Sequence, residues 1–399
     1  MSDLQRNLMK GKLPHLDEEE SHQPESAGVK GLQGLGPIAG IKPASGELNL
    51  PADHQFKIPL RPPKQKSYTP TDWSTYWTHT ATAALSTPSS LYKIYYTPPT
   101  DSTNTWFVFH HGAGSSALTF SLSAKLLHDA IPHVGVAAYD ARGHGHTAAT
   151  GDDSDLSLAT LARDFISAVA YLADLSDEEK QAEVVFVGHS LGGAVVTEAA
   201  LKLDEDKQSW PSPRPRPLIS GVVVVDVVEG SALEGLAHMR AYLGTRPSSF
   251  RTVEDAIRWH VKSHTVRSAE SACVSVPPLV RTQDGSGKLV WRTELGSTER
   301  YWQEWFADLS SKFLRARAGR LLVLAGTDRL DKPLTIGQMQ GKYQLEVLPE
   351  VGHFVQEDAP QRFAGLLEGF WGRNRRGAAL ERAAGQLGER RDGDHEVLY

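Results

Sequence analysis

Three side-chain types in this sequence are placed as a nucleophile, a base and an acid would need to be. The first is Ser190, in Gly188-His189-Ser190-Leu191-Gly192, directly after the apolar run Val184 to Val187. Gly-x-Ser-x-Gly is the pattern of a serine held on a sharp strand-to-helix turn. Flanking glycines let the neighbouring backbone pass close. The surroundings fit: a β-branched strand leads in, and the small-residue segment Gly193 to Leu201 leads out as a helix able to pack on a sheet. The competing account is a Gly-rich strand-helix connection without chemistry, and it weakens as partners for the serine are found.

A serine hydroxyl becomes an effective nucleophile when an oriented base takes its proton. The chain has sixteen histidines, so residue type alone singles out none. Position singles out His353, in Val351-Gly352-His353-Phe354 just after the last strand run, whereas His189 inside the turn reads as backbone support. Two carboxylates compete for the acid. Asp328 lies in Ala325-Gly326-Thr327-Asp328-Arg329-Leu330-Asp331, and Asp226 in Val225-Asp226-Val227-Val228-Glu229-Gly230. Either strand end could reach the imidazole Nδ1, so spacing alone does not decide; the place after the strand that follows the cap, where such an acid commonly sits, leans slightly towards Asp328. The other would then be a loop aspartate accepting backbone N–H groups. Acyl transfer also needs donors aimed at a developing oxyanion. The expected pair is the backbone N–H of Leu191 and that of Ala113, in the turn His110-His111-Gly112-Ala113-Gly114-Ser115-Ser116. No Lys-Ser or Lys-Thr follows that turn and the dinucleotide glycine spacing is absent, which argues against a phosphate cradle. Asp140-Ala141-Arg142-Gly143-His144-Gly145 reads as a further strand-ending turn at the rim. His144 and His146 have no acidic or Cys partner at ligand spacing and read as a solvated loop, so neither a metal nor a cofactor is called for.

The elements that must position these residues are legible as alternating strands and helices. Strands are expected at Leu91 to Tyr96, Trp106 to Phe109, Gly135 to Tyr139, Val184 to Val187, Val222 to Val225, Leu321 to Leu324 and Gln344 to Leu348. Leu156 to Leu172 has Leu158, Leu161, Phe165 and Ala168 near helical spacing. Apolar strands separated by helices indicate a mostly parallel sheet covered on both faces. The segment from about 233 to 318 breaks the rhythm. It is mostly helical in pattern, rich in Arg and Trp, with a loop at Gln283 to Lys288, and is expected as a cap above the strand ends. Residues 1–66 and 373–399 are Gly-, Pro- and charge-rich with no sustained apolar period, and are read as unstructured flanks of a domain at 67–372.

Composition narrows the class. The chain is 40% hydrophobic and 23% charged with a formal net charge of −6, which gives no electrostatic case for nucleic acid or anionic lipid. The single cysteine, Cys273, excludes an internal disulfide framework. The amino terminus lacks the apolar core of a secretory signal and no stretch is long enough to span a bilayer. A soluble monomer of the cytoplasm is expected, with the nucleus left open.

With these residues assembled, the chain resembles the protein phosphatase methylesterases of the α/β-hydrolase superfamily over about Trp73 to Phe370. Gly188 to Gly193 and Asp140 to Gly145 are general hydrolase features. More specific are Asp226-Val227-Val228-Glu229-Gly230-Ser231-Ala232, Arg300-Tyr301-Trp302, Ala325 to Lys332, and above all Leu334-Thr335-Ile336-Gly337-Gln338-Met339-Gln340-Gly341-Lys342-Tyr343-Gln344. The resemblance implies an α/β-hydrolase fold and hydrolysis of the methyl ester on the carboxyl-terminal leucine of the type-2A protein phosphatase catalytic subunit, which would be both substrate and partner. It implies Ser190 as nucleophile and His353 as base, and moves the acid from Asp328 to Asp226. It also implies that Met339, Gln340 and Lys342 engage the phosphatase surface. Ala113 stands where the family usually has a further glycine and Leu191 where it often has methionine; both would donate through the backbone. The family's long acidic, lysine-rich cap insertion is short here, near Gln283 to Lys288. Trp259, Trp291, Trp302 and Trp305 are expected either as a wall for a peptide tail or as core aromatics.

Overall fold

The computed structural model describes residues 68–85, 90–100, 104–175, 181–326 and 330–375. The expectation for residues 1–66 lies outside the described residues, as does that for the carboxyl tail beyond residue 375. Eleven strands occur in the described residues: β1 (His79–Ala84), β2 (Ser90–Thr97), β3 (Thr105–His110), β4 (Val134–Tyr139), β5 (Ala148–Ala149), β6 (Glu183–His189), β7 (Leu218–Val225), β8 (Val280–Thr282), β9 (Leu289–Trp291), β10 (Gly319–Ala325) and β11 (Gln344–Leu348). Nine form one sheet in the order β1-β2-β4-β3-β6-β7-β10-β11, with β5 beside β2. Pairing from β4 through β11 is parallel, while β1, β2 and β5 add an antiparallel edge. The sequence reading lacked β1 and β5. Their burial is partial or nil, so neither leaves an apolar run to detect.

The central strands are buried on both faces, and alternation along each strand divides the core. Val184, Phe186, Val222, Val224, Leu322 and Leu324 point into one layer, and Val185, Val187, Val223, Val225, Leu321 and Val323 into the other. Helices close both layers. Helix α1 (Ser121–Ala130) contributes Leu127 to the second layer, and α2 (Leu158–Asp174) and α3 (Leu191–Glu205) contribute Phe165 and Val195 to the first. Each such side chain stabilises the fold by about 1.5–3 kcal/mol relative to exposure. Helix α2 begins where the Ser157 hydroxyl accepts from the Thr160 N–H (3.4 Å), a capping arrangement that satisfies one orphan donor of the first turn.

The cap follows β7. It contains α4 (Glu229–Thr245), α5 (Val253–Lys262), α6 (Ala269–Ser275), the β8–β9 hairpin, α7 (Glu299–Phe306) and α8 (Leu309–Arg315). The helical reading of this segment therefore needs one correction: the loop at Gln283 to Lys288 is the turn of a hairpin. Gly285 and Gly287 take φ of +75° and +66° there, which side chains with a Cβ disfavour. The cap has its own core of Phe250, Ile257, Val261, Val266, Cys273 and Val280. After β10 come α9 (Lys332–Met339), β11, α10 (Val355–Asp358) and a final helix, α11 (360–375), whose Phe363, Leu367 and Phe370 complete the second layer.

Candidate active site

Ser190 leaves the carboxyl end of β6, at the centre of the sheet, with φ 53° and ψ −121°. A non-glycine residue in that region costs about 1–3 kcal/mol and persists only where the surroundings impose it. They do so here. The Ser190 N–H donates to the Val225 carbonyl (2.9 Å), and the Ser190 carbonyl accepts from the Gly193 N–H (2.8 Å). A Cβ at Gly188 would overlap the Gly192 backbone, and one at Gly192 would overlap the His110 carbonyl. The glycines are thus set by two close backbone crossings, and the serine side chain is left facing the cavity under the cap.

Asp226 ends β7, the next strand, also with a positive φ of 51°. One carboxylate oxygen accepts the Ala325 N–H at 2.7 Å, and the other lies 2.6 Å from His353 Nδ1. The carboxylate is buried and the imidazole one-fifth exposed. The structure therefore places Ser190 and Asp226 at the carboxyl ends of the neighbouring strands β6 and β7, and brings His353 to Asp226 from the loop after β11, at the edge where open α/β sheets place ligands. Asp328, the acid slightly favoured by its place after the strand that follows the cap, lies outside the described residues.

His189 supports this arrangement. Its Nε2–H donates to the His353 carbonyl (2.8 Å), and the two rings lie 4.6 Å apart between centroids. Burial pushes its pKa well below the usual value, so it is a neutral strut between the β6 turn and the His353 loop. The Gly112–Gly114 turn approaches from the other side, and a Cβ at Gly112 would sit 3.0 Å from that of Ser190. Ala113 lines the cavity. Two buried histidines tie this turn to the 140–147 loop. His111 Nδ1–H donates to the Gly112 carbonyl and its Nε2 accepts from Ala141 N–H (3.0 Å); His144 Nδ1–H donates to the Arg142 carbonyl and its Nε2 accepts from Gly114 N–H (3.0 Å). Each ring accepts through one nitrogen and so must be neutral; burial lowers both pKa values, most for His111. The solvated reading of His144 is corrected: it is 3% exposed. His146, whose side chain is 46% exposed, fits it better.

The cavity under the cap has both Ser190 and His353 in its lining. Trp259, Trp291, Trp302 and Trp305 all line it, and Trp302 and Trp305 are buried in the core as well. Several lining residues escaped the sequence reading, since they lie in no motif, and two of these are of charged type. Glu357 is buried at the base, accepting from Ser275 Oγ (2.6 Å) and Thr119 Oγ1. Burial raises its pKa to about 8, outweighing these donors. The other is Arg246, stacked on Trp291. Met339, Gln340 and Lys342 are exposed at the end of α9 and do not line the cavity. Among the described residues no three His, Cys, Asp or Glu side chains are grouped to hold a metal ion.

Taken together, the residues could support nucleophilic acyl transfer: a serine on a strained turn, an imidazole oriented by a buried carboxylate, and backbone amides nearby. Comparison with known proteins points the same way. Residues 107–366 match the model of the alpha/beta hydrolase family. The protein phosphatase methylesterase 1 of Aspergillus oryzae is 41% identical over 95% of this chain and 92% of its own length. That of Schizosaccharomyces pombe is 49% identical over 67% of this chain and 74% of its own. Among solved structures, E-2-(acetamidomethylene)succinate hydrolase superposes with a TM-score of 0.56 at 18% identity, covering 73% of this chain and 99% of that one, a likeness of fold.

Proposed function

Because the chain belongs to the protein phosphatase methylesterase family of α/β-hydrolases, we propose that it removes the methyl ester from the carboxyl-terminal leucine of the type-2A protein phosphatase catalytic subunit. It is a serine hydrolase acting on carboxylic esters. The observation that carries the proposed mechanism is the 2.6 Å contact between His353 Nδ1 and Asp226, which leaves His353 Nε2 free for the serine.

In this mechanism Nε2 takes the Ser190 Oγ proton as Oγ bonds to the ester carbonyl carbon. Asp226 holds the imidazole tautomer and stabilises the imidazolium. The Ala113 and Leu191 N–H groups bind the oxyanion. Collapse breaks the bond to the methoxy oxygen, which leaves as methanol with the proton from His353. Water, deprotonated by the same imidazole, attacks the acyl-serine, and Ser190 departs reprotonated to release the free carboxylate. The exposed Met339, Gln340 and Lys342 are proposed to meet the phosphatase outside the cavity, with the enzyme acting as a monomer in the cytoplasm.

The test is demethylation of purified carboxyl-methylated type-2A catalytic subunit by the wild type and by Ser190→Ala, with a methyl-ester peptide of its tail alongside. Methyl loss that depends on Ser190 is the expected result. Rapid hydrolysis of simple esters with an untouched phosphatase would point to a general esterase, and binding without either activity to a scaffold.

A further inference from the structure

Arg246 is the lone Lys or Arg among the described residues lining the cavity that holds Ser190. Its guanidinium carbon lies 3.5 Å from the centroid of the Trp291 ring. That ring is itself fixed, since its Nε1–H donates to the Pro247 carbonyl (2.7 Å) and Phe250, Trp259 and His260 pack on it edge-to-face. The cation is therefore held in one place. No side chain among the described residues forms an ion pair with it. Glu294 acts on it only at a distance, and accepts instead from the Gly296 N–H (3.3 Å).

Glu357, the lone carboxyl among the described residues lining the cavity, does not offset this charge. Burial keeps Glu357 protonated up to about pH 8 and His260 neutral down to about pH 4, and His189 is neutral too. The wall is otherwise largely aromatic and aliphatic. A half-buried guanidinium with free N–H donors in such surroundings attracts a planar or tetrahedral oxyanion, which it can grip through two parallel hydrogen bonds. In ester hydrolysis the alcohol departs, so the part of the substrate left to fill the cavity is the acyl side.

We propose that Arg246 is a specificity-determining residue that binds an anionic group, carboxylate or phosphate, on the acyl side of the ester cleaved at Ser190. This rests on the reading of the cavity as a site for peptide esters.

The full chain would be given three N-acetyl tripeptide methyl esters ending in leucine, with Asp, Asn or phosphoserine as the penultimate residue. The wild type is expected to favour the two anionic peptides over the Asn peptide by about tenfold or more in kcat/KM, mainly through KM, with the ratio shrinking as salt is raised. In Arg246→Gln the ratio falls towards one, and in Arg246→Lys part of it returns. The Asp and phosphoserine arms separate the two anion sources. A wild-type ratio near one, or an unchanged ratio in Arg246→Gln, overturns the proposal, and the wild-type ratio needs no variant to fold. If no tripeptide methyl ester is cleaved, the functional reading is still decided by demethylation of the whole catalytic subunit, and fails only if that is absent too. Inhibition of aryl acetate hydrolysis by the corresponding peptide amides then decides separately: stronger inhibition by the Asp than the Asn amide supports the proposal, and equal inhibition sinks it.

Discussion

Asp226 uses its two carboxylate oxygens differently, one on the Ala325 N–H and one on His353 Nδ1. Asp226→Asn keeps the shape but presents a side chain able to donate towards Nδ1, favouring the wrong imidazole tautomer. We expect kcat on an aryl ester to fall by about a thousandfold or more, with the circular dichroism spectrum retained. Glu357 gives a pH signature instead. Its unfolded carboxyl has the ordinary value near 4.5, and the folded one titrates only near 8. Between these values the unfolded state loses the proton first, so this group's contribution to stability is full below about pH 4.5 and declines as pH rises towards 8. Glu357→Gln cannot ionise. Its stability relative to the wild type should therefore climb from pH 5 to pH 8 in urea titrations, and a constant difference would remove the inference. At this scale the chemistry was half legible. Ser190 and His353 stand beside glycines in recognisable strand-end motifs, whereas Asp226 and Asp328 were inseparable by spacing because both follow strands. Glu357 and Arg246 carry no motif at all; only folding gives them their burial and neighbours.

Turns between elements carry much of the strain and much of the precision. The Gly112–Gly114 turn depends on His144, whose Nε2 accepts the Gly114 N–H. His144→Ala removes that acceptor inside a buried site. A loss of about 1–3 kcal/mol in unfolding free energy is expected, together with a fall in kcat larger than the rise in KM, since the Ala113 N–H would lose its fixed aim. A variant with full activity would mean that the loop is held by other contacts. The main elements were readable because the central strands are apolar on both faces. The partly buried β1, the short β5 and the β8–β9 hairpin were not, since their pairing depends on chain segments distant in sequence or on a turn that resembles a plain loop.

For the whole molecule, the sheet carries Ser190 at the end of β6 and the cap walls the cavity above it; in the proposed reaction the sheet presents the nucleophile and the cap encloses the acyl side of the substrate. The exposed end of α9 lies outside the cavity, so contact with a protein substrate there should be separable from chemistry. Lys342→Glu is expected to weaken binding to the methylated catalytic subunit about fivefold or more while leaving aryl ester hydrolysis at the wild-type rate, as read by titration binding and steady-state kinetics. Unchanged binding would remove Lys342 from the proposed contact.

The sequence alone determined the α/β character, the serine turn, the position of the histidine and the family, because strand hydrophobicity and glycine requirements are local and leave a pattern along the chain. Tertiary structure decided which carboxylate lies against His353. It also decided that His189, His111 and His144 are neutral struts, that Glu357 keeps its proton at neutral pH, and that Arg246 faces the cavity without an ionic partner among the described residues. Those properties arise from burial and from contacts between residues as far as 238 positions apart, as between Thr119 and Glu357. Electrostatic environment in a folded interior depends on what surrounds a group in space, which spacing along the chain does not encode.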